Sequence, residues 1–196
     1  MPACKRRCLL LVRRPPRLVG PGDLAANVKL TSLSVTDDIT CALGDDGKAY
    51  CFGKAFGRRF GAGTAAFTET TAWKLVAQGE IPGGARITQL AVGGTAAASC
   101  VIANDHKAYC WGLNHQGVIG IGNSREFDVL EPRHVAQGGI PADVGLLKVV
   151  CGQYHCAALG DDGRIYAWGE NQGLALAREA QESMESAPVL INAPIL

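Results

Sequence analysis

Cysteines are the residues of this chain best suited to chemistry, because a thiolate can bind a metal, act as a nucleophile or form a disulfide. The chain has 196 residues and 8 cysteines. Two pairs share one spacing, Cys41 with Cys51 and Cys100 with Cys110, inside the similar segments CALGDDGKAYCFG and CVIANDHKAYCWG. The shared spacing predicts one common role for both pairs.

Zinc binding is one use that cysteines can have. Cys4 with Cys8, and Cys151 with Cys156 beside His155, could supply ligands. Neither group has the CxxC spacing of a zinc knuckle or a second matched pair along the chain. We therefore predict no metal site and no cofactor.

Catalytic constellations are also missing from the sequence. His155 and Cys156 are adjacent, and adjacent residues of a strand point to opposite faces, so they cannot form a nucleophile and base by themselves. The doublets Asp45-Asp46 and Asp161-Asp162 each precede a glycine, which favours a turn over a pair of catalytic carboxylates. No GxxxxGK[ST], GxSxG or HExxH motif occurs. We predict no catalytic residue and no enzyme activity.

An internal repeat must position these side chains. The segment starting at Cys41 recurs at Cys100 and again, as AALGDDGRIYAWG, at Ala157. Each unit reads as four short strands with a tight turn between the second and the third. Fourth strands are predicted at Trp73–Val76, Arg133–Val135 and Val189–Ile191. Four short strands per unit predict an all-β fold of β-propeller blades.

The turn sets the pairing of the cysteines. A three-residue loop at 45–47, with Gly47 in the left-handed conformation, places Cys41 opposite Cys51. In the third unit the same register places Ala157 opposite Ala167, so the two facing positions change together. Two interpretations stay open: disulfides at Cys41–Cys51 and Cys100–Cys110, which we prefer, or small buried side chains that fill the blade.

Motifs in the second and third units identify a family. The third unit reads CGQYHCAAL (151–159) and DGRIYAWGEN (162–171), and the second contains WGLNHQGVIGIG (111–122). These resemble the CGxxHSxAL, DGxVYxWGxN and WGxNxxGxLGxG patterns of regulator-of-chromosome-condensation repeats. The first unit departs from the pattern, for example with Phe52 in place of Trp. The resemblance implies three repeats at about 29–86, 87–145 and 146–196.

The same resemblance has implications for assembly and binding. Family propellers close a ring of about seven blades, so about three blades imply an incomplete ring, completed by remaining blades or by other copies of the chain. Binding is expected in the loops 54–71, 113–131 and 170–187. Each loop follows a corner of the Trp-Gly type, which is Phe52-Gly53 in the first unit, Trp111-Gly112 in the second and Trp168-Gly169 in the third. The candidate binding residues are Arg58, Arg59, His115, Arg125 and Phe127.

Three functions are consistent with these features. We prefer a non-catalytic protein–protein interaction module, because the repeats carry no catalytic groups. The family resemblance implies an alternative, a guanine-nucleotide exchange regulator of a small GTPase. The cysteine pairs favour another alternative, an extracellular binding module.

Charge and hydropathy restrict the class of partner and the cellular compartment. The basic residues of the first 22 positions are not balanced by any acid, so we predict a disordered basic tail over residues 1–28 and a mildly acidic body. An acidic body argues against nucleic acid as a partner, and no segment is apolar enough to span a membrane. The run Leu9–Val12 is too short for a signal peptide. The cysteine pairs indicate an oxidising compartment, and otherwise the cytoplasm is expected.

Overall fold

The computed structural model describes residues 18–54, 60–64, 69–94, 98–177 and 183–191. These residues form three antiparallel sheets of four strands, each in sequential order. Blade 1 contains β1 (Leu30–Val35), β2 (Ile39–Gly44), β3 (Ala49–Lys54) and β4 (Glu69–Leu75). Blade 2 contains β5 (Ile87–Val92), β6 (Ala98–Ala103), β7 (Ala108–Leu113) and β8 (Asp128–His134). Blade 3 contains β9 (Leu146–Cys151), β10 (His155–Gly160), β11 (Ile165–Glu170) and β12 (Met184–Ile191).

The all-β prediction with about three four-stranded blades is confirmed. Two short 3₁₀ helices, His115–Gly117 and Gln172–Leu174, follow the third strands of blades 2 and 3. No helix within the described ranges is both long and apolar enough to cross a membrane. The first strands lie side by side, β5 packing against β1 and β9, so consecutive blades are neighbours in space.

The turn between the second and third strands has the predicted register. In blade 1 the amide of Gly44 donates to the carbonyl of Lys48 (2.9 Å), and Gly47 has φ 78°. Cys41 consequently faces Cys51, and the equivalent pairing in blade 3 sets Ala157 opposite Ala167. The local turn sequence is therefore sufficient to align the two strands.

An aspartate–tyrosine hydrogen bond supports this turn in every blade. The tyrosine hydroxyl donates to the aspartate at the second position of the turn at 2.6 Å, in the pairs Tyr50–Asp46, Tyr109–Asp105 and Tyr166–Asp162. Burial, followed by the bond to Asp162, raises the pKa of Tyr166 to about 12. The same bond is the main cause that lowers the pKa of Asp162. These aspartates are thus turn residues, as their position before a glycine or histidine suggests.

The outer strands begin earlier than predicted. Lys54 pairs with Glu69, Leu113 with Asp128, and Glu170 with Met184. A register shift in each ladder, between Cys51 and Gly53 in blade 1, separates this early pairing from the later part of the strand. The strands begin with the polar or partly exposed residues Glu69, Asp128 and Met184, which give a weak strand pattern in the sequence. The three predicted loops are shorter accordingly.

Residues 19–28 lie against blade 1, whereas the sequence assigned them to the basic tail. The amide of Gly20 donates to the carbonyl of Thr71 (2.9 Å), and that of Asp23 donates to the carbonyl of Trp73 (2.8 Å). The segments linking the blades make equivalent bonds, such as Glu80 amide to Pro132 carbonyl at 2.8 Å. Residues 19–28 thus occupy the position of an inter-blade linker. Residues 1–17 lie outside the described residues, and their predicted disorder stays a prediction.

The tryptophan of each Trp-Gly corner is buried by a loop of the preceding blade. Trp111 and Trp168 have no exposed surface. The indole Nε1 of Trp168 donates to the carbonyl of Val118 at 2.9 Å. A Cβ added to Gly120 would lie 2.6 Å from that Nε1, and one added to Gly61 would lie 2.5 Å from the Nε1 of Trp111. Glycine is therefore required where the loop crosses the indole ring.

Gly120→Ala is expected to lower the free energy of unfolding by about 2 to 3 kcal/mol, because the methyl group meets Trp168 and the backbone is left-handed. Gly122→Ala is the matched control. Its φ of 82° is similar to the 77° of Gly120, but its added Cβ has an ordinary contact of 3.5 Å with Ala136. Its expected loss is about 1 kcal/mol. Urea unfolding measures both, and equal losses would contradict the role of the indole contact.

His106→Gly is expected to stabilise the protein by about 0.5 to 1 kcal/mol, since a left-handed conformation strains any side chain with a Cβ. His106 has φ 60° at the turn position that Gly47 and Gly163 occupy in the other blades. The reverse change, Gly163→Ala, meets no atom within 4 Å and is expected to cost about 1 kcal/mol. Thermal and urea unfolding test these two variants. A His106→Gly variant that is less stable than the wild type would contradict the proposed backbone strain at residue 106.

Tyr166→Phe is expected to reduce stability near neutral pH and to reduce it less in acid. The folded-state pKa of Asp162 is lowered mainly by the Tyr166 hydroxyl. This contribution is therefore complete above the unfolded carboxyl pKa and is lost as the pH falls through the folded pKa. Urea unfolding at about pH 7 and about pH 3 compares the two proteins. A stability difference that is constant across this range would contradict the assignment.

Candidate binding surface

Two buried asparagines shape the loops that follow β7 and β11. Asn114 is 1% exposed. Its Nδ2 donates to the carbonyl of Asn123 (2.8 Å), and its Oδ1 accepts from the amide of Ile119 (3.1 Å). In blade 3 the Oδ1 of Asn171 accepts from the amide of Leu176, also at 3.1 Å. The asparagine that follows the Trp-Gly corner therefore holds each loop in one conformation.

The predicted residues of the second loop come together in part. The rings of His115 and Phe127 meet edge to face, with their centroids 5.3 Å apart. The amide of Asn114 donates to the carbonyl of Phe127 (2.8 Å), which fixes the backbone beneath this contact. Phe127 is nevertheless 61% exposed. An aromatic side chain held on a fixed backbone and open to solvent is suited to binding.

Arg125 belongs to the same loop, and its amide donates to the Oδ1 of Asn123 (3.2 Å). It is exposed and lies two positions before Phe127 along the chain. Arg58 and Arg59 lie outside the described residues, so their part in binding stays a prediction. The structure thus joins His115 with Phe127, adds Arg125 from the same loop, and leaves the first loop undescribed in its central part.

A groove of about 570 Å³ separates the loops of blades 2 and 3. Its walls are Gln116, Glu170, Asn171, Gln172, Gly173, Leu174 and Ser183. Leu174 is 56% exposed. Gln116 and Leu174 have positive φ values of 58° and 63°, a conformation that residues other than glycine seldom adopt. Strained backbone of this kind is concentrated at functional sites. Sequence motifs did not single out Gln116 or Leu174, because φ is not visible in residue type.

The cysteines of blades 1 and 2 face each other in the predicted register. The Sγ atoms lie at disulfide distance, 2.11 Å for Cys41–Cys51 and 2.10 Å for Cys100–Cys110. A third pair, Cys151–Cys156, is at disulfide distance as well. Sequence analysis missed it, because these two residues belong to β9 and β10 and have no cysteine counterparts in the other units. The end of β9 faces the start of β10, and this pairing of adjacent strands was the signal that could have revealed the third cysteine pair.

The described residues form a β-propeller array of three antiparallel blades. Residues 105–159, which run from blade 2 into blade 3, match the model of the regulator-of-chromosome-condensation (RCC1) repeat, and residues 147–172 match a second model of the same description. The resemblance inferred from the motifs of these two units is therefore confirmed over residues 105–172.

Known relatives agree with this family. The chain is 30% identical over 111 residues to the Protein RCC2 homolog of Xenopus laevis, covering 56% of this chain and 21% of that protein. It is 28% identical over 99 residues to the Regulator of chromosome condensation of Homo sapiens, covering 48% of this chain and 22% of that protein. The chain thus spans about a fifth of the length of these relatives.

A solved structure shares the fold. The crystal structure of human WBSCR16 superposes with a TM-score of 0.68 at 17% identity, covering 84% of this chain and 38% of that one. At this identity the likeness extends to the arrangement of the blades and not to a binding site or a partner.

Proposed function

We propose that this chain is a non-catalytic protein-binding module whose partner contacts the loops after β7 and β11. The observation that supports the proposal is a pair of exposed apolar side chains, Phe127 and Leu174, on loops that the buried Asn114 and Asn171 hold in place. Aromatic and apolar anchors dominate the energy of protein interfaces. Loops that are already ordered lose little conformational entropy when a partner binds.

The two anchors belong to one continuous surface. Phe127 packs on His115, His115 is followed by Gln116, and Gln116 lines the groove that Leu174 also lines. We call this set of four residues the loop surface. An apolar centre with polar neighbours is the usual composition of a protein interface.

The charge of the two loops that carry the loop surface favours a protein over a nucleic acid as the partner. Within the described loop residues 113–127 and 170–177, Arg125 is the single lysine or arginine. Arg133 at the end of β8 is engaged by Glu80 (2.7 Å) and Glu126 (3.5 Å). Nucleic-acid binding depends on several cations that neutralise phosphates, whereas a loop with one arginine and an exposed aromatic residue suits a protein partner.

A photo-crosslinking residue at Phe127 is expected to capture a partner in cells of the native host. The same residue at Leu147, which is 53% exposed on β9, is the matched control and is expected to capture nothing specific. Leu174→Ala should abolish the crosslink at Phe127 without changing the unfolding midpoint. Equal capture at both positions, or capture that Leu174→Ala does not change, would refute the proposal that the partner binds at the loop surface.

The captured partner then allows a quantitative test of the anchors. Phe127→Ala and Leu174→Ala are each expected to weaken its affinity about tenfold or more, because truncating an interface anchor costs at least about 1 to 2 kcal/mol. If the partner is a small GTPase, nucleotide release in the presence of the module tests the exchange-regulator alternative. Unchanged affinity in both variants would contradict the proposed site.

A further inference from the structure

Two cysteine pairs meet at the boundary between blades 2 and 3. The Sγ of Cys151 lies 3.4 Å from the Sγ of Cys100, and the Sγ of Cys156 lies 3.9 Å from it. The three sulfur atoms are all within 4.8 Å of one another. Cys110 adjoins the cluster through its own close contact with Cys100. Sulfur atoms from β6, β9 and β10 thereby lie at one place, and that of Cys110 on β7 lies beside Cys100.

The sulfur–sulfur distances between the two blades suit a tetrahedral thiolate site, and those within each pair reach such values once the pair is reduced. With a Zn–S distance of about 2.3 Å, two sulfur ligands of zinc are about 3.8 Å apart. The Sγ of Cys100 lies 3.4 Å from that of Cys151 and 3.9 Å from that of Cys156, and these two distances lie on either side of that value. Cys100 and Cys156 are fully buried, while Cys151 is partly exposed and gives an ion a route to the cluster. Soft thiolate ligands select zinc over magnesium or calcium.

We propose that Cys100, Cys151 and Cys156, when reduced, bind one Zn²⁺ ion between blades 2 and 3. Cys110 is the nearest candidate for a fourth ligand. The pair Cys151 and Cys156 has no matched partner pair along its own stretch of sequence. The fold supplies the missing ligands from the neighbouring blade, and the ion joins the two sheets.

The oxidised and zinc-bound forms exclude each other. Both pairs lie at disulfide distance, and only free thiolates are effective zinc ligands. A dithiol reductant reduces each disulfide with two electrons and two protons and is itself oxidised to a disulfide. Zn²⁺ then displaces one proton from each thiol that it binds. Binding therefore requires prior reduction and is favoured by rising pH.

The boundary between blades 1 and 2 provides an internal control. Cys41 and Cys51 repeat the pair Cys100 and Cys110. The positions equivalent to Cys151 and Cys156 are Val92 and Ser99, which face each other across β5 and β6. Blade 1 therefore presents a cysteine pair to a neighbour that has no thiol at these positions, and zinc binding is expected at the second boundary alone.

Zinc titration of the reduced chain tests the proposal directly. The protein is reduced with dithiothreitol, desalted without oxygen and titrated with Zn²⁺ against a chromophoric chelator. One ion per chain is expected, and cobalt in place of zinc should give the thiolate charge-transfer absorption of a tetrahedral site. The double variant Cys151→Ser/Cys156→Ser should lose at least about a hundredfold in affinity. Cys41→Ser/Cys51→Ser should bind as the wild type does.

A measurement on the wild type covers the case in which a variant fails to fold. Zn²⁺ should slow alkylation of the partly exposed Cys151 at least tenfold, as followed by peptide mass spectrometry. Absence of zinc binding to the reduced wild type, or an unprotected Cys151, would overturn the proposal. So would equal loss of affinity in the two double variants, because the effect would then be independent of the cysteine cluster.

Discussion

The contact on which this array depends is the one between a loop of one blade and the tryptophan of the next. A four-stranded sheet buries only part of its apolar surface by itself, and stacking against a neighbour buries the rest. Trp168 supplies a large part of this surface, and its Nε1 is satisfied by the carbonyl of Val118 in the preceding blade. Gly120 lets the loop backbone reach the ring. A packing contact and a hydrogen bond therefore coincide at one side chain and join the two blades.

The loop surface follows from the same contact. Val118 and Ile119 are buried against the next blade, so the loop that contains them is anchored at its middle. Asn114 closes the loop at its start by accepting from the amide of Ile119. The residues between and after these anchors, His115 and Phe127 among them, are left on the outside. Binding residues thus lie on a loop whose shape is dictated by the stacking of the blades.

The structural features that could be predicted from the sequence are those that depend on residues close together along the chain. The turn at Asp45-Asp46-Gly47 set the register of β2 and β3 correctly, because a short loop leaves little freedom to the strands that it joins. The early part of the outer strands and the docking of residues 19–28 depend on partners distant in sequence. Gln116 and Leu174 were not predicted for a related reason, because the surrounding loop and not their residue type imposes their positive φ values.

The cysteines show how repetition can conceal a site. In a repeated sequence, equivalent positions are compared with one another, and that comparison pairs Cys100 with Cys41. Stacking of the blades instead brings Cys100 against Cys151, which is equivalent to Val92 and not to any cysteine of the other units. Chemistry at a boundary depends on two different faces of the repeat, and each face can diverge on its own. Cysteine at positions 151 and 156 of blade 3, in place of the equivalent Val92 and Ser99 of blade 2, is therefore enough to distinguish the second blade boundary from the first.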